Sequence, residues 1–121
     1  MSATILIVDD NEVSLRYLVY SLKAEDIEIF TATNGQQAVD FCKNFDKTID
    51  VVLMDIQMPI MDGYEASKLI REILPEVPII AQTGYAMISD MENIKASFND
   101  YVSKPIEIDL LNQKLYFYLN K

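Results

Sequence analysis

Residues 5–14, ILIVDDNEVS, begin with four apolar residues in a row and break without a turn into two adjacent carboxylates, Asp9 and Asp10. An apolar run without alternation is what a strand buried on both faces requires, and such strands belong to parallel sheets covered by helices. A second run, VVLM at 51–54, also leads into a carboxylate, Asp55. Neighbouring carboxylates at the rim of a core repel one another and lose hydration, so something nearby has to compensate them.

Outward from these two runs, five β-like segments alternate with five helical ones. The strand candidates are Thr4 to Val8, Ile27 to Ala32, Asp50 to Met54, Pro78 to Gln82 and Asp100 to Val102. The segments between and after them carry single apolar stripes at helical spacing. These stripes are Leu15, Leu18, Val19, Leu22; Ala38, Phe41, Cys42, Phe45; Ala66, Leu69, Ile70, Ile73; Met87, Met91, Ile94, Phe98; and Ile108, Leu111, Leu115, Leu119. Asn34-Gly35 opens the second helix, Asp62-Gly63 stands before the third, and Pro75 and Pro78 bracket the approach to the fourth strand. The alternation predicts an α/β fold with helices on both faces of a parallel sheet, because right-handed crossovers put them there.

The 121 residues fit one domain, 1–121, large enough for a single buried core. No apolar run approaches the roughly 20 residues that span a bilayer. The start, MSATILIVDDN, lacks the basic and apolar regions of a secretory signal, so the expected location is cytoplasmic. A net charge of −9 argues against an electrostatic hold on nucleic acid or an anionic membrane, and favours proteins or cations as partners. Histidine is absent, which removes imidazole as base, metal ligand or phosphoryl carrier. The one cysteine, Cys42, lies on a helical apolar stripe and reads as core packing.

In open parallel sheets, ligands sit beyond the carboxyl ends of the strands, where the strand order reverses. Those ends carry Asp9 and Asp10, then Asp55, then Thr83 and Gly84, then Lys104-Pro105. With strand order 2-1-3-4-5, the flavodoxin-like doubly wound (βα)5 arrangement, strands one and three are neighbours and the three carboxylates share a corner. A pair of them about 4 Å apart repels by about 4 kcal/mol at an effective dielectric near 20, so the corner needs a cation or a proton. Oxygen-only ligands with room for water and phosphate suit Mg²⁺, with Mn²⁺ as an alternative. A competing role for Asp10 is to N-cap the helix beginning near Asn11. With charge offset, a carboxylate held by a strand end can attack a phosphoryl group, and Asp55 is placed for that. Lys104 can pair with it and Thr83 can offer a hydroxyl.

The pieces ILIVDDN, VVLMDIQMPIMDGYEA, IIAQTGYA and DYVSKPI, in this order and spacing, resemble the receiver domain of two-component response regulators along essentially the whole chain. MDIQMPIMDG and VSKPI are most similar to receivers of hybrid histidine kinases. The resemblance implies that Asp55 accepts a phosphoryl group from a phosphohistidine on a sensor kinase or phosphotransfer domain. It implies that Mg²⁺ is held by Asp9, Asp10, Asp55 and the backbone carbonyl of Gln57. Thr83, Gly84 and Lys104 would contact the phosphoryl group, Thr83 and Tyr101 would act as the switch, and Gln57 and Tyr85 would tune hydrolysis. Such a domain catalyses its own phosphorylation and dephosphorylation rather than turning over external substrates. Its output would be a protein-binding face on the fourth helix, fifth strand and fifth helix, a face that can also pair two copies.

Three details depart from the pattern. Gly84 stands where the family often has Ala and should loosen the Thr83 loop. Ser97 stands where a Gly commonly ends the fourth helix, which leaves that cap open. Tyr85 is bulky enough to shield the phosphoryl group from water. Among Tyr116, Phe117 and Tyr118, helical spacing does not let all three face the core, so one aromatic is expected to be exposed. The alternatives are an FMN-binding flavodoxin, which would need a hydroxyl- and glycine-rich loop in place of DDNEVS, a haloacid-dehalogenase-like phosphatase, which would need D-x-D and a cap, and a degenerate receiver that binds partners without phosphorylation.

Overall fold

The computed structural model describes residues 2–84 and 90–119. Strands β1 (Ala3–Val8), β2 (Ile27–Ala32), β3 (Val51–Asp55), β4 (Ile79–Thr83) and β5 (Asp100–Ser103) alternate with helices α1 (Glu12–Leu22), α2 (Gly35–Asn44), α3 (Gly63–Ile73), α4 (Met91–Ser97) and α5 (Ile108–Leu119). The strands form one sheet in the order β2-β1-β3-β4-β5, and every pairing is parallel. This is the flavodoxin-like arrangement expected from the alternation. Two strands start later than the sequence pattern predicts: β3 begins at Val51, not Asp50, and β4 at Ile79, not Pro78. Pro78 has no N–H to give a ladder, although its carbonyl accepts from Val52 N–H at 3.0 Å. Asp55 and Thr83 are therefore the last residues of their strands rather than the first residues after them.

The unbroken apolar runs divide their side chains between two cores, as the two-residue period of a strand requires. Ile5, Ile7, Val51, Leu53 and Ile80 pack with Leu15 and Leu18 of α1 and Leu111 and Leu115 of α5. Leu6, Val8, Val52, Met54 and Ile79 pack with Ala38 of α2, Ala66 and Ile70 of α3, and Ile94 of α4. Cys42 belongs to this second core, and burial pushes its thiol up to about 11, so it stays an inert thiol. Central strands locked on both faces make β1 and β3 rigid mounts for whatever stands at their carboxyl ends.

Helix starts follow the short polar residues. Asn11 caps α1 by accepting from Ser14 N–H, Asn34 caps α2 through Gln37 N–H, and Asp62 caps α3 through Glu65 N–H. Asp10 is thus not the cap of α1, and its carboxylate is left for another role. Helix α4 ends without a left-handed residue: Phe98 is extended and its N–H returns to Ile94 O. The Ser97 carbonyl is satisfied instead by the Ser67 hydroxyl at 3.1 Å, which explains how the helix stops without glycine.

Candidate functional site

Strands β1 and β3 end side by side, with Val8 opposite Met54, so the residues that follow them converge. Asp9, Asp10 and Asp55 each place a carboxylate oxygen within 4.8 Å of the others. Asp9 is fully buried, and its Oδ1 accepts from Asn11 N–H at 2.9 Å. Its Oδ2 is buried with no hydrogen-bond partner among the described residues. A buried acceptor without a donor costs about 1–3 kcal/mol, more when charged, unless a cation or water supplies the missing interaction. Asp10 is exposed and reaches the corner from the solvent side. An all-oxygen set of one orphaned and two further carboxylates fits a hard divalent cation such as Mg²⁺.

Asp55 is buried, and its Oδ1 lies 3.2 Å from Lys104 Nζ. Burial pushes its pKa from 3.8 up to about 6; Lys104 opposes the rise, while Asp9 and Asp10 add to it. At neutral pH it is still mainly a carboxylate. Lys104 arrives from the turn after β5, where its N–H donates to Thr83 O at 2.7 Å and joins the ends of β4 and β5. The Thr83 side chain is buried, with its hydroxyl donating to Val102 O at 3.4 Å, near the outer limit of a hydrogen bond. Gly84 has no left-handed backbone, and a Cβ there would meet nothing within 4 Å among the described residues. Tyr85 and Met87 lie outside the described residues.

The loop between β3 and α3 borders the acid corner. Gln57, Met58, Pro59, Asp62 and Tyr64 line a cavity of about 530 Å³ together with Asp10. Met61 N–H donates to Pro59 O at 2.7 Å around Ile60, whose φ of 73° is left-handed. A β-branched residue in that region is strained, and Ile60 is also exposed. Gly63 fixes where α3 begins: its N–H donates to Ile56 O at 2.8 Å, and a Cβ would come within 2.4 Å of the Asp55 carbonyl oxygen.

Sequence reasoning misses Gln82, which sits opposite Asp55 in the β3–β4 register and is almost fully buried. Its amide donates to Val8 O at 3.3 Å, and its Oε1 is buried without a partner among the described residues. The signal that could have found it is a lone polar residue inside the apolar strand IIAQT. Tyr64, which the sequence places only in a loop-to-helix segment, donates its hydroxyl to Asp90 Oδ2 and so ties α3 to the start of α4. Of the C-terminal aromatics, two are strongly exposed rather than one, Tyr116 and Phe117. Tyr101 is half-buried against the α4-side core, as a strand aromatic at a sheet edge would be.

A doubly wound parallel sheet with an acid cluster at its switch point defines a class of α/β domains that place chemistry where strands β1 and β3 part. Within that class, the chain belongs to the response regulator receiver domain family, whose pattern it matches over residues 5–116. It is 35% identical over 120 residues to the autoinducer 1 sensor kinase/phosphatase LuxN of Vibrio campbellii, covering 99% of this chain and 14% of LuxN. It is 36% identical over 121 residues to the signal transduction histidine-protein kinase BarA of Escherichia coli strain K12, covering 98% of this chain and 13% of BarA. The chain therefore spans only a small part of these relatives. Among solved structures, the receiver domain of a sensor histidine kinase from Pseudomonas aeruginosa PAO1 superposes with a TM-score of 0.88 at 32% identity, covering 100% of both chains. That structure has a magnesium ion coordinated in its active-site cleft. Among the described residues of this chain, no helix is long and apolar enough to cross a membrane.

Proposed function

We propose that this chain, residues 1–121, is one receiver unit that takes a phosphoryl group onto Asp55 from a phosphohistidine of a sensor kinase or histidine phosphotransfer domain. The observation that carries this reading is the pairing of a buried, oxygen-only acid corner with Lys104 at Asp55. Asp9, Asp10, Asp55 and the Gln57 carbonyl would hold Mg²⁺ or Mn²⁺. When bound, the ion supplies positive charge that offsets the carboxylates and the phosphoryl oxygens. The Asp55 carboxylate attacks phosphorus with a lone pair, the N–P bond breaks, and the imidazole leaves with that electron pair and takes a proton. Lys104 stands at Asp55 Oδ1 and follows the new charge to a phosphoryl oxygen.

Phosphorylation adds about −1.5 to −2 of charge and strong acceptor oxygens at one point. Thr83 gives up only a long bond to Val102 O when its hydroxyl turns toward them. Gly84 follows with its backbone, Tyr101 occupies the space that opens, and the α4–β5–α5 face changes its population of states. That face would bind a protein partner or a second copy, and Gln57 and Tyr85 would set how long the phosphoryl group lasts. The sensor-kinase relatives support a receiver of the hybrid-kinase type, the proposed place of action is the cytoplasm, and the net charge of −9 speaks against direct contact to nucleic acid.

Incubation with phosphoramidate, followed by intact mass, tests the reading. One phosphoryl mass that needs Mg²⁺ and disappears in alkali supports it. A fully folded protein that binds Mg²⁺ but gains no mass, and binds no beryllium fluoride, would make it a phosphorylation-independent binding module.

A further inference from the structure

Strand β5 carries a second polar cluster, built around Asp100 and separate in composition from the acid corner. Lys114 of α5 donates from Nζ to Asp100 Oδ1 at 2.6 Å and to Tyr101 O at 2.8 Å. The same nitrogen stands over the Tyr101 ring, 5.1 Å from its centroid. Asp100 Oδ1 also accepts from Tyr101 N–H at 2.8 Å, and the Tyr118 hydroxyl, whose nearer acceptor is Asn99 O at 3.2 Å, stands 3.4 Å from Asp100 Oδ2. The side chains of Lys114 and Asp100 are only 22% and 25% exposed. An ammonium has three donors, and two of them are fixed by a carboxylate and a carbonyl, so the charge is held against the ring rather than free to wander. Partial withdrawal from water strengthens such a cation–ring contact.

We propose that Lys114 is a positioning residue for Tyr101: its ammonium holds the ring in the half-buried orientation and opposes an inward turn. The proposal rests on the receiver reading, in which Tyr101 is the aromatic that moves. The bonds to Asp100 and to the Tyr101 carbonyl involve a neighbour and a backbone atom, which keep their places whichever way the ring points. Only the contact with the ring depends on its orientation. Lys114 therefore biases one of two states by the worth of that contact, and a phosphoryl group has to overcome it. Removing the charge releases the bias and makes the phosphorylated state easier to reach.

The test combines Lys114→Met, which keeps the stem and loses the charge, with Lys114→Arg, which keeps the charge, and with Tyr101→Leu, which removes the ring. Ring resonances of ¹³C-labelled tyrosine are recorded in the resting protein, Tyr101→Leu identifying the signal of Tyr101 among the seven tyrosines. The affinity for beryllium fluoride with Mg²⁺ is measured in parallel. The expected result for Lys114→Met is a moved Tyr101 ring signal and an affinity raised about two- to fivefold, with Lys114→Arg returning both toward wild type. With Tyr101→Leu in place, Lys114→Met changes the affinity no further. The proposal is overturned when the ring signal stays put in Lys114→Met, or when the affinity change is the same with and without the ring, which would assign the effect to Asp100 alone. Should the wild type bind no beryllium fluoride, the phosphoacceptor reading fails, and the resting ring signal still decides whether Lys114 holds Tyr101.

Discussion

At the acid corner, Asp9 keeps a buried oxygen without a partner among the described residues, and burial pushes the Asp55 carboxyl up to about 6; at the β5 edge, Asp100 is bonded by Lys114 and by Tyr101 N–H, with the Tyr118 hydroxyl nearby. Both regions are built on carboxylates, yet one is under-bonded and the other is held by an ammonium and a backbone N–H. An under-bonded corner gains from any ligand that brings positive charge, so it is where binding energy enters. A bonded edge resists change, so it sets how much of that energy is needed before the surface responds. A ligand shifts two states only by the difference in its affinity for them, and here the two regions supply the two sides of that difference.

The largest effect expected at the corner is from Asp55→Asn, which removes the attacking carboxylate while keeping its shape. Phosphorylation by phosphoramidate should fall to background by intact mass, while the same assay on Lys114→Met should proceed. Equal loss in both would erase the distinction between the regions. Next comes Asp9→Asn: it takes a full charge from the buried side of the cluster, so Mg²⁺ affinity by calorimetry should fall about tenfold or more. In the wild type, free Mg²⁺ at about a hundred times its Kd should raise stability by about 2.7 kcal/mol in urea titrations. At the same concentration Asp9→Asn should lose about half of that gain or more.

Gly63→Ala comes third, because its Cβ would strike the backbone of Asp55 and Ile56. Overpacking of this kind costs about 1–3 kcal/mol, read as a lower urea midpoint. Gly84→Ala, with open space around the added carbon, should be neutral or stabilising by about 0.4–1 kcal/mol. A separate expectation concerns pH. A carboxyl whose pKa is raised on folding, from 3.8 to about 6, binds its proton more tightly in the native state. Its contribution to stability therefore falls as pH rises from about 4 to about 6 and is flat above. In metal-free protein this trend should appear as the difference between wild type and Asp55→Asn, and Mg²⁺ should remove it.

Much of this architecture is legible in the amino-acid order alone. The unalternating runs ILIV and VVLM can only serve strands with cores on both faces, and both cores are there. Asp9, Asp10 and Asp55 are brought together by strand order alone. Asp10 as a helix cap is the reading that fails, because Asn11 is one residue closer to the first free N–H groups and takes the Ser14 bond. Less legible is everything that depends on side-chain reach across elements. No period marks Lys114 as the partner of Asp100, or Tyr64 as the partner of Asp90, since each pair joins residues from different elements. Gln82 is visible as an oddity in its strand, but spacing does not reveal that its amide reaches β1.

The most direct measurement is to find the atom that carries the phosphoryl group. Protein treated with phosphoramidate and Mg²⁺ is reduced with borohydride, which converts an aspartyl phosphate to homoserine, and is then digested and sequenced by tandem mass spectrometry. Homoserine is expected at the position of Asp55 alone, and none when Mg²⁺ is left out. Homoserine at Asp9 or Asp10 instead, or a phosphorylated protein whose Asp55 peptide is unchanged, would rule out Asp55 as the phosphoacceptor.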